Sequence, residues 1–548
     1  MAIFRKIIKT SSEVVNKSLA FQTVLFALLS SVFSLLPPII QKYLVDSLVS
    51  ADIKLVSYEI ALLIVAVVLQ LIINIRKIYV CSLFEEISTL NLCKKIVCGL
   101  FDTSYEKISN SDPDYLNNRI KTDSDNLAGF TRKTIENLLP NSLIFITALI
   151  YFIIKAPILL LALLIIIVSF AILYLLLQKK MGIAVENYKE QKNRNYAVFN
   201  QSLSNLSTIK VNCWSMQEGK RIDKSIRLSV NTYKKFLRFT TCFLSIASSL
   251  QVIFTLLVIV IGALMISKGT LSIGDLFALI SFSSMIISPL MSIVEILSTF
   301  PEAKVSLSRI QELRVMEKDQ EGTTCLSEID EINVKIESFK YDNIEINCPI
   351  DQHFEKGKIY IINGANGTGK SSFLNTLVKL HRSYDGSIII NQSVDLKDLS
   401  MESVSELVSY VEQDNHLFAG SIYENIFFGQ SNNENVSVPT FLEGFVQSLY
   451  KLPNGLNKII ASDSTSVLSG GEKKKIALAR GLIKNTNLLI LDEPTVALDK
   501  ESIDLLFGLL NELKQNNIII LVTHETIYNR FADEIVEVNR NNQVSDKQ

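Results

Sequence analysis

Long apolar stretches, separated by polar stretches of very unequal length, fill the first 300 residues of the chain. A helix needs about 20 mostly apolar residues to cross the hydrocarbon core of a bilayer. Six stretches meet this requirement, at residues 20–40, 55–75, 135–154, 157–177, 241–266 and 276–297. One soluble core cannot hide six such stretches, so the pattern predicts six membrane-spanning helices. The first stretch has no small-residue cleavage site, which favours a membrane helix over a cleaved signal peptide.

The polar connections between these stretches predict the topology. Short connections join the third stretch to the fourth and the fifth to the sixth, whereas residues 76–134 and 179–240 are long, polar and rich in Lys and Arg. Positively charged segments tend to stay on the cytoplasmic side, so we expect both long stretches and both termini there. Gly and Pro are few in these stretches and apolar residues recur at helical spacing, which indicates that the helices continue beyond the membrane.

Each long stretch contains one predicted break. The first lies at residues 109–113, because Pro113 disfavours helix at the residue before it. The second lies at residues 212–216 and contains Trp214, the only tryptophan. Trp214 has two interpretations that the sequence leaves open: an aromatic packed at a helix break, or a contact with the C-terminal domain.

Composition separates the two halves of the chain and excludes some classes of function. Apolar residues concentrate before residue 300, while residues 315–548 resemble an ordinary soluble domain. The net charge of −1 gives no indication of a nucleic-acid partner. The seven cysteines form no Cys-x-x-Cys pair and have no nearby His cluster, so we expect reduced, space-filling side chains rather than a disulfide framework or a metal site.

A strand, a glycine-rich loop and a helix start follow one another from residue 359 in the C-terminal half. In this context backbone N–H groups wrap phosphates, and the helix N-terminus adds partial positive charge. Lys370 supplies a full charge to the outer phosphates, and the Ser371 hydroxyl can ligate Mg²⁺. The predicted nucleotide contacts in this segment are Gly364, Asn366, Gly367, Thr368, Gly369, Lys370, Ser371 and Ser372. A bound nucleoside triphosphate and Mg²⁺ are therefore expected.

Two further buried strands end in chemically active residues. Asp492 stands at the carboxyl end of the strand that begins at Leu488, where ligands of open α/β sheets bind, so it is predicted to hold Mg²⁺. His524 follows a third apolar run, residues 518–522, and Thr523.

Together with the segment Leu468-Ser469-Gly470-Gly471-Glu472, these features resemble a half-transporter of the ABC exporter family. The resemblance runs from about residue 20 to residue 540. In the membrane half it rests on residues 115–120 with Asp123, Gly274-Asp275-Leu276, Ser288-Pro289-Leu290 and Arg309-Ile310. It implies a membrane protein with a six-helix all-α transmembrane domain at residues 1–312, a linker at 313–330, and an α/β P-loop ATPase domain of ABC type, with a helical subdomain, at 331–548.

The resemblance also implies catalytic roles. Glu493 becomes the carboxylate that orients or deprotonates the attacking water. His524 contacts the γ-phosphate and that carboxylate. Gln413 contacts Mg²⁺ or the water and senses the membrane half. Tyr341 stacks on adenine, although a core tyrosine is the alternative, and Asp499 fits the family's D-loop.

Ser469, Gly470 and Gly471 are by resemblance the signature that contacts the γ-phosphate bound on another subunit. A complete site then needs two chains, either two copies of this one or this one and a paralogous half-transporter. Glu472 replaces the commoner Gln, which puts little in doubt. Residues 461–466 depart from the acidic, Gly-rich segment that many exporters carry before the signature, so contact with the second cytoplasmic extension is expected to use other residues.

The substrate is the least readable feature. Glu295 lies within the sixth apolar stretch, where a charge is costly and often functional, so it is a candidate contact for a cationic or peptide substrate. The alternative is a solvated carboxylate or one paired to a neighbouring helix. We expect ATP-driven export of an amphiphilic drug, a lipid or a mature peptide across a bacterial plasma membrane. A regulatory ATPase without transport, and an importer or lipid flippase, are the competing hypotheses.

Overall fold

The computed structural model describes residues 2–109, 113–315, 322–341, 344–365, 367–428, 437–460 and 468–538. The chain divides into two compact units. The first comprises Met1–Phe101 and Asp112–Met316, and the second comprises Asp102–Ser111 and Glu317–Gln548.

Helices alone make up the region before the first strand, within the residues that the structure describes. They are α1 (Ala2–Ser12), α2 (Lys17–Val49), α3 (Ile53–Leu100), α4 (Tyr105–Ser109), α5 (Pro113–Lys133), α6 (Leu139–Lys155), α7 (Leu159–Ser204), α8 (Leu206–Val211), α9 (Ser215–Ser267), α10 (Ile273–Met285) and α11 (Ile287–Val315), with a π-helical turn at Thr134–Leu138 between α5 and α6. The short helix α4 belongs to the second unit, although the chain on both sides of it belongs to the first.

Six helical stretches of the described chain are long and apolar enough to cross a membrane. They are Lys17–Val49, Ile53–Leu100, Arg119–Lys155, Leu159–Ser204, Ser215–Ser267 and Ile273–Leu313. The prediction of six spanning helices is confirmed. Many of their large apolar side chains are exposed, Leu161 and Ile165 among them. A helix that is apolar all round is stable only when a core or a lipid phase surrounds it.

The helix breaks follow local chemistry. At the second predicted break, α8 ends at Val211 and α9 begins at Ser215, with Cys213 at a left-handed φ of 54° between them. Trp214 lies there with half of its surface exposed, so it is not packed into a core of its own unit. At the first predicted break α4 ends at Ser109, and residues 110–112 lie outside the described part of the chain.

The second unit is built on a five-stranded sheet of order β11-β3-β10-β9-β6, in which every neighbouring pair is parallel. A four-stranded antiparallel sheet has the order β2-β1-β4-β5, and β7 pairs with β8. The strands are β1 (Glu331–Tyr341), β2 (Ile344–Glu355), β3 (Ile359–Asn363), β4 (Tyr384–Ile390), β5 (Val394–Asp395), β6 (Val408–Val411), β7 (Gly420–Ser421), β8 (Ile459–Ile460), β9 (Leu488–Asp492), β10 (Ile518–Val522) and β11 (Glu534–Glu537). The helices are α12 (Lys370–Leu377), α13 (Met401–Leu407), α14 (Ile422–Ile426), α15 (Thr440–Tyr450), α16 (Gly470–Leu482) and α17 (Lys500–Leu513).

The central strands β3, β10 and β9 are apolar apart from Asn363 and Asp492 at their carboxyl ends, because both faces of the parallel sheet are covered. Alternate side chains of a strand point to opposite faces. In β10, Ile518 and Ile520 enter one core cluster while Ile519 and Leu521 enter the other. The second cluster also takes in helices α14 to α17. This arrangement confirms the predicted α/β fold. Because the strands are parallel, their carboxyl ends lie side by side.

Candidate active site

The carboxyl ends of β3, β6, β9 and β10 lie at one edge of the sheet because these strands are parallel. The glycine-rich loop follows β3, Gln413 follows β6, Glu493 follows β9 and His524 follows β10. Ligands of open α/β sheets bind at this edge. Four segments that are far apart in sequence are therefore brought to one place by the strand order.

Three glycines give the loop its shape. Gly367 and Gly369 have φ angles of 80° and 106°, a region that favours glycine. A Cβ at Gly364 would lie 2.5 Å from the Val538 carbonyl oxygen, so a side chain does not fit there. Thr368 closes the turn by donating its hydroxyl to the Ala365 carbonyl at 2.9 Å. Asn366 lies outside the described residues.

Lys370 begins α12 and is only 7% exposed. Its Nζ donates to the carbonyl oxygens of Gly364 at 2.7 Å and Ala365 at 2.9 Å. Burial lowers the pKa of Lys370, and the negative charges of Glu493 and Asp492 oppose that shift. The negative charge of a phosphate bound at this loop would stabilise the buried ammonium of Lys370, which the surrounding protein groups stabilise incompletely. Ser371, the next residue, is exposed.

Glu493 lies between two partners. Gln413 Nε2 donates to its Oε2 at 3.1 Å, and His524 Nε2 lies 3.0 Å from its Oε1. Glu493 has a left-handed φ of 46°, which is rare for residues other than Gly, Asn and Asp. The Glu493 N–H holds this bend by donating to the Val522 carbonyl at 2.9 Å. Strain of this kind persists where the surroundings impose it, and it is common at active sites.

Asp492 is the buried last residue of β9. Burial raises the pKa of Asp492 and the charge of Glu493 raises it further, while Lys474 and Lys370 lower it. A divalent cation would relieve this crowding of negative charge. Within the described residues no group of three or more His, Cys, Asp and Glu side chains is close enough to hold a metal ion. That fits Mg²⁺, which takes one or two carboxylates and completes its shell with water and phosphate oxygens; the predicted protein ligands are Asp492, Ser371 and Gln413.

The signature segment forms the N-terminus of α16. Ser469 accepts from the Glu472 N–H at 3.2 Å, and Glu472 Oε2 accepts from the Ser469 N–H at 2.7 Å. This capping box explains why Glu at position 472 is compatible with the fold. A Cβ at Gly471 would lie 2.7 Å from the Ala497 carbonyl oxygen. Among the described residues, no hydrogen bond joins Ser469, Gly470 or Gly471 to the glycine-rich loop.

Asp499 stands at the N-cap of α17, where its carboxylate accepts from the Ser502 N–H at 3.2 Å. The hydrogen bond from Ser502 lowers the pKa of Asp499. Asp499 therefore caps a helix of its own chain. The atypical residues 461–466 lie outside the described residues.

Tyr341 ends β1 and is half-buried. Its hydroxyl donates to Ser372 Oγ in α12 at 2.7 Å. Its ring stacks on His381, with 4.3 Å between ring centroids and 20° between planes. One ring face is thus covered by protein, and the predicted stacking of adenine on Tyr341 would use the other face.

Lys474, which the sequence reasoning missed, is 1% exposed on α16. Its Nζ lies 3.3 Å from the Glu412 carbonyl oxygen, 3.4 Å from that of Gln413 and 3.4 Å from that of Asp492. It lies within the charged run Glu472-Lys473-Lys474-Lys475, and a run of this kind is usually exposed to solvent. The signal for burial was its spacing, because Lys474 and the buried Leu478 are one helical turn apart.

Glu295, the candidate substrate contact, lies in the first unit on α11. Its carboxylate is 3.0 Å from Lys133 Nζ and accepts from Asn137 Nδ2 at 3.3 Å. Asn137 belongs to the π-helical turn, a feature that is frequent at functional sites. Glu295 is therefore paired to a neighbouring helix, as the alternative interpretation has it. A contact with substrate stays a prediction.

Two family models match this chain. The model of the ABC transporter transmembrane region matches residues 21–290, and the ABC transporter model matches residues 349–496. A structure of a bacterial Atm1-family ABC exporter with ATP bound has a TM-score of 0.81 over 96% of this chain and 94% of that one. At 19% identity, that likeness bears on the fold alone.

Several curated proteins are similar over part of their length. An uncharacterized ABC transporter ATP-binding protein of Bacillus subtilis is 28% identical over 54% of this chain and 52% of its own. A putative export ATP-binding/permease protein of Rickettsia bellii is 29% identical over 62% of this chain and 60% of its own. An ATP-dependent lipid A-core flippase of Blochmanniella floridana is 33% identical over 35% of this chain and 33% of its own. The matches thus span about half to three fifths of the first two relatives.

Proposed function

The chain belongs to the ABC transporter family, and on this premise we propose that it is an integral membrane exporter driven by ATP hydrolysis. The observation that carries the proposal is the position of Glu493, held between Gln413 and His524 at the edge of the sheet where the glycine-rich loop also ends. A carboxylate in this position can accept a proton from water or orient it. A purely regulatory ATPase has less need for such an arrangement.

The residues of this edge divide the work of hydrolysis. Lys370 and the N–H groups of the loop bind the β- and γ-phosphates, which lowers the charge that the attacking water meets. Glu493 accepts the proton of that water, and Gln413 and His524 fix the direction of its carboxylate. Ser371, Asp492 and Gln413 would hold Mg²⁺, which neutralises phosphate charge when it is bound.

The working unit in this proposal is a dimer, because among the described residues the signature of the chain has no hydrogen bond to its own glycine-rich loop. Two ATP molecules would join the two ATP-binding units, each between the loop of one copy and the signature of the other. Hydrolysis removes the γ-phosphate that bridges them. ATP would therefore shift the protein between two states, and the membrane cavity would open to alternate sides.

An exposed apolar tip supports the assignment of the partner to a second copy. Large apolar side chains are exposed where α7, α8 and α9 meet: Leu203, Leu206, Val211, Trp214 and Met216. In the second unit a groove of about 600 Å³ is lined by Tyr410, Phe418, Phe428 and Arg480, among others. Solvent-exposed apolar patches mark interaction sites. We propose that the tip of one copy binds the groove of the other.

Native Cys213 at this tip allows a test, since it is exposed and free. A Phe428→Cys variant treated with a short bis-maleimide should give a covalent dimer on a denaturing gel. The same variant carrying Cys213→Ser should not. Ile527→Cys, also on an exposed position, is the matched control. Equal cross-linking of both cysteine variants would contradict the docking of the tip.

The proposed substrate is an amphiphilic drug, a lipid or a mature peptide, and the proposed direction is outward. Lipid flipping is the second candidate, since one relative is named a lipid A-core flippase. The deciding experiment uses purified protein in liposomes. ATP-dependent accumulation of a fluorescent drug or peptide supports export, whereas movement of a labelled lipid between leaflets supports flipping. A Glu493→Gln variant should lose both ATP hydrolysis and transport, and a fully active variant would overturn the role of Glu493.

We also propose that both termini and the ATP-binding unit are cytoplasmic, in the plasma membrane of a bacterium. The support is the Lys and Arg content of the long polar stretches. Cys213 and Cys325 are exposed and lie on the proposed cytoplasmic side. A membrane-impermeant maleimide should label them in inside-out vesicles and not in intact cells. Labelling of Cys213 in intact cells would contradict this orientation.

A further inference from the structure

The short helix α4 holds the turn that follows the phosphate-binding helix α12. The Glu106 carboxylate on α4 accepts from the backbone N–H groups of Arg382 and Ser383, the latter at 3.1 Å, and from the Ser383 hydroxyl at 3.0 Å. It also lies 2.9 Å from His381 Nδ1. One carboxylate therefore meets four donors of a single turn. Hydrogen bonds to a charged acceptor are roughly twice as strong as neutral ones.

Among these donors, His381 also contacts Tyr341, the residue predicted to stack on the base. It is 3% exposed and stacks on the Tyr341 ring. Burial lowers the pKa of His381 and the charge of Glu106 opposes that shift. A neutral imidazole that donates from Nδ1 to Glu106 satisfies both facts. Its Nε2 is buried and has no hydrogen-bond partner among the described residues.

A buried nitrogen without a hydrogen-bond partner is unfavourable, and a phenylalanine would stack on Tyr341 without that cost. Unlike phenylalanine, a histidine at position 381 can also contact the Glu106 carboxylate through Nδ1. The His381 ring thus contacts Glu106 of α4 and one face of Tyr341. The Tyr341 hydroxyl in turn is tied to Ser372 Oγ, two residues after Lys370.

We propose that Glu106 and His381 are positioning residues for the nucleobase, which makes base binding and the docking of α4 mutually dependent. Glu106 holds His381, His381 sets the plane of Tyr341, and the base stacks on the free face of that tyrosine. Because coupling between two binding events is reciprocal, a stacked base must stabilise α4 in its place. Along the chain, α4 is preceded by α3 and followed by α5, and both of these helices belong to the first unit. The inference rests on the proposed ATP-binding function.

The test compares a ligand that has a base with one that has none. Inorganic tripolyphosphate offers the phosphates of ATP without adenosine. Dissociation constants for ATP and for tripolyphosphate are measured by calorimetry on full-length protein in nanodiscs, in a Glu493→Gln background to prevent turnover. The variants are Glu106→Gln, which removes the charge, His381→Phe, which keeps the stack, and His381→Ala, which removes it.

We expect the Kd for ATP to rise about threefold to tenfold in Glu106→Gln and His381→Ala, and less in His381→Phe. The Kd for tripolyphosphate should change by less than twofold in all three. The double variant Glu106→Gln, His381→Phe should have the same Kd for ATP as the weaker-binding single variant. The effects should not add, because both substitutions break the same contact between residues 106 and 381. His353→Phe and Glu402→Gln, on other elements, are the matched controls.

Reciprocity gives a second measurement, by hydrogen exchange over residues 102–109. ATP should slow exchange there and tripolyphosphate should not. Equal shifts in both dissociation constants would reveal a general structural defect and overturn the proposal, as would unchanged binding of both ligands or additive effects in the double variant. If the protein without these changes fails to bind ATP, it is the proposed function that fails. His381→Phe retains the stack, so it keeps the test valid if His381→Ala does not fold.

Discussion

At the scale of single residues, His524 is the clearest test of the catalytic arrangement. Its Nε2 lies 3.0 Å from Glu493 Oε1, so its loss frees one side of the carboxylate that has to meet water. We expect His524→Ala to lower kcat for ATP hydrolysis about 100-fold to 1000-fold, the range seen when one positioned group of an active site is removed. The KM for ATP should change much less, because Lys370 and the glycine-rich loop remain.

Steady-state hydrolysis assays on reconstituted protein measure both constants. His353→Ala is the matched control, since His353 lies on β2 and pairs with Asn333 and Glu355 instead. A His524→Ala variant with unchanged kcat would remove this histidine from the catalytic group.

Lys474 makes a different kind of prediction, because within the described residues its ammonium donates to backbone carbonyls and not to side chains. Its ammonium is shared by the carbonyl oxygens of Glu412, Gln413 and Asp492. Lys474→Met fills the space but leaves these acceptors unpaired, at a cost of about 1–3 kcal/mol for a buried group. We expect a lower unfolding temperature together with a lower kcat, since Gln413 and Asp492 lose a common support.

Lys474→Gln keeps a neutral donor and should recover most of both properties. Lys473→Met, on the same helix and exposed, is the control. Thermal unfolding and hydrolysis are measured on the same preparations. A stable, active Lys474→Met protein would mean that the three carbonyls do not depend on it.

The candidate residues that the sequence alone could position are those whose surroundings are local. The glycine-rich loop lies between one strand and one helix, and Glu493 directly follows Asp492, so spacing alone locates them. His381 and Glu106 are 275 residues apart, and no periodicity relates them. The buried position of Lys474 follows from tertiary packing against β6 and β9. Contacts of that kind need the folded chain.

At the scale of elements, an ion pair between Asp533 and Lys514 stabilises the start of β3, away from the catalytic residues. Asp533 accepts from the Ile359 N–H at 2.8 Å, at the start of β3, and Lys514 Nζ lies 3.0 Å from both of its oxygens. Burial would raise the pKa of Asp533, but the hydrogen bond from Ile359 and the pair with Lys514 outweigh it and lower the pKa. A lowered pKa stabilises the fold above the unfolded value of about 4, and this contribution is lost as the pH falls through the folded value.

We therefore expect Asp533→Asn to lower stability near pH 7 by about 1 kcal/mol, a small figure because the pair is partly exposed. The difference from the parent protein should shrink below pH 4. Thermal unfolding between pH 3.5 and 7.5 measures it, with the exposed Asp351→Asn as control. A difference that stays constant with pH would show that the charge of Asp533 is not what stabilises the strand.

Element type was predicted well where periodicity was strong, and element ends were predicted less well. The six apolar stretches became helices that extend well beyond those stretches, as few Gly or Pro interrupt them. The end of α3 at Leu100 was not predicted, because Phe101 and Asp102 carry no breaker. The π-helical turn at Thr134–Leu138 has no sequence pattern of its own either, since its wider turn depends on neighbouring helices.

At the scale of the whole molecule, the proposed dimer makes a prediction that no monomeric enzyme would fulfil. Lys370→Ala disables the phosphate loop and leaves the signature intact, while Ser469→Arg blocks the signature and leaves the loop intact. A homodimer of either variant has two defective sites. A mixed dimer has one site with both defects and one site with none, because each site takes its loop from one copy and its signature from the other.

Co-expression with two different affinity tags isolates the mixed dimer. It should retain about one ATP per dimer after rapid gel filtration in a Glu493→Gln background, whereas each homodimer should retain almost none. With Glu493 intact, hydrolysis should reach at most about half of the parent rate, since one site of two is whole. Among the residues that the structure describes, the phosphate loop and the signature of one chain share no hydrogen bond. If the parent protein retained ATP and the mixed dimer retained none, the loop and the signature of one chain would belong to the same site after all. That outcome would remove the reason for two copies.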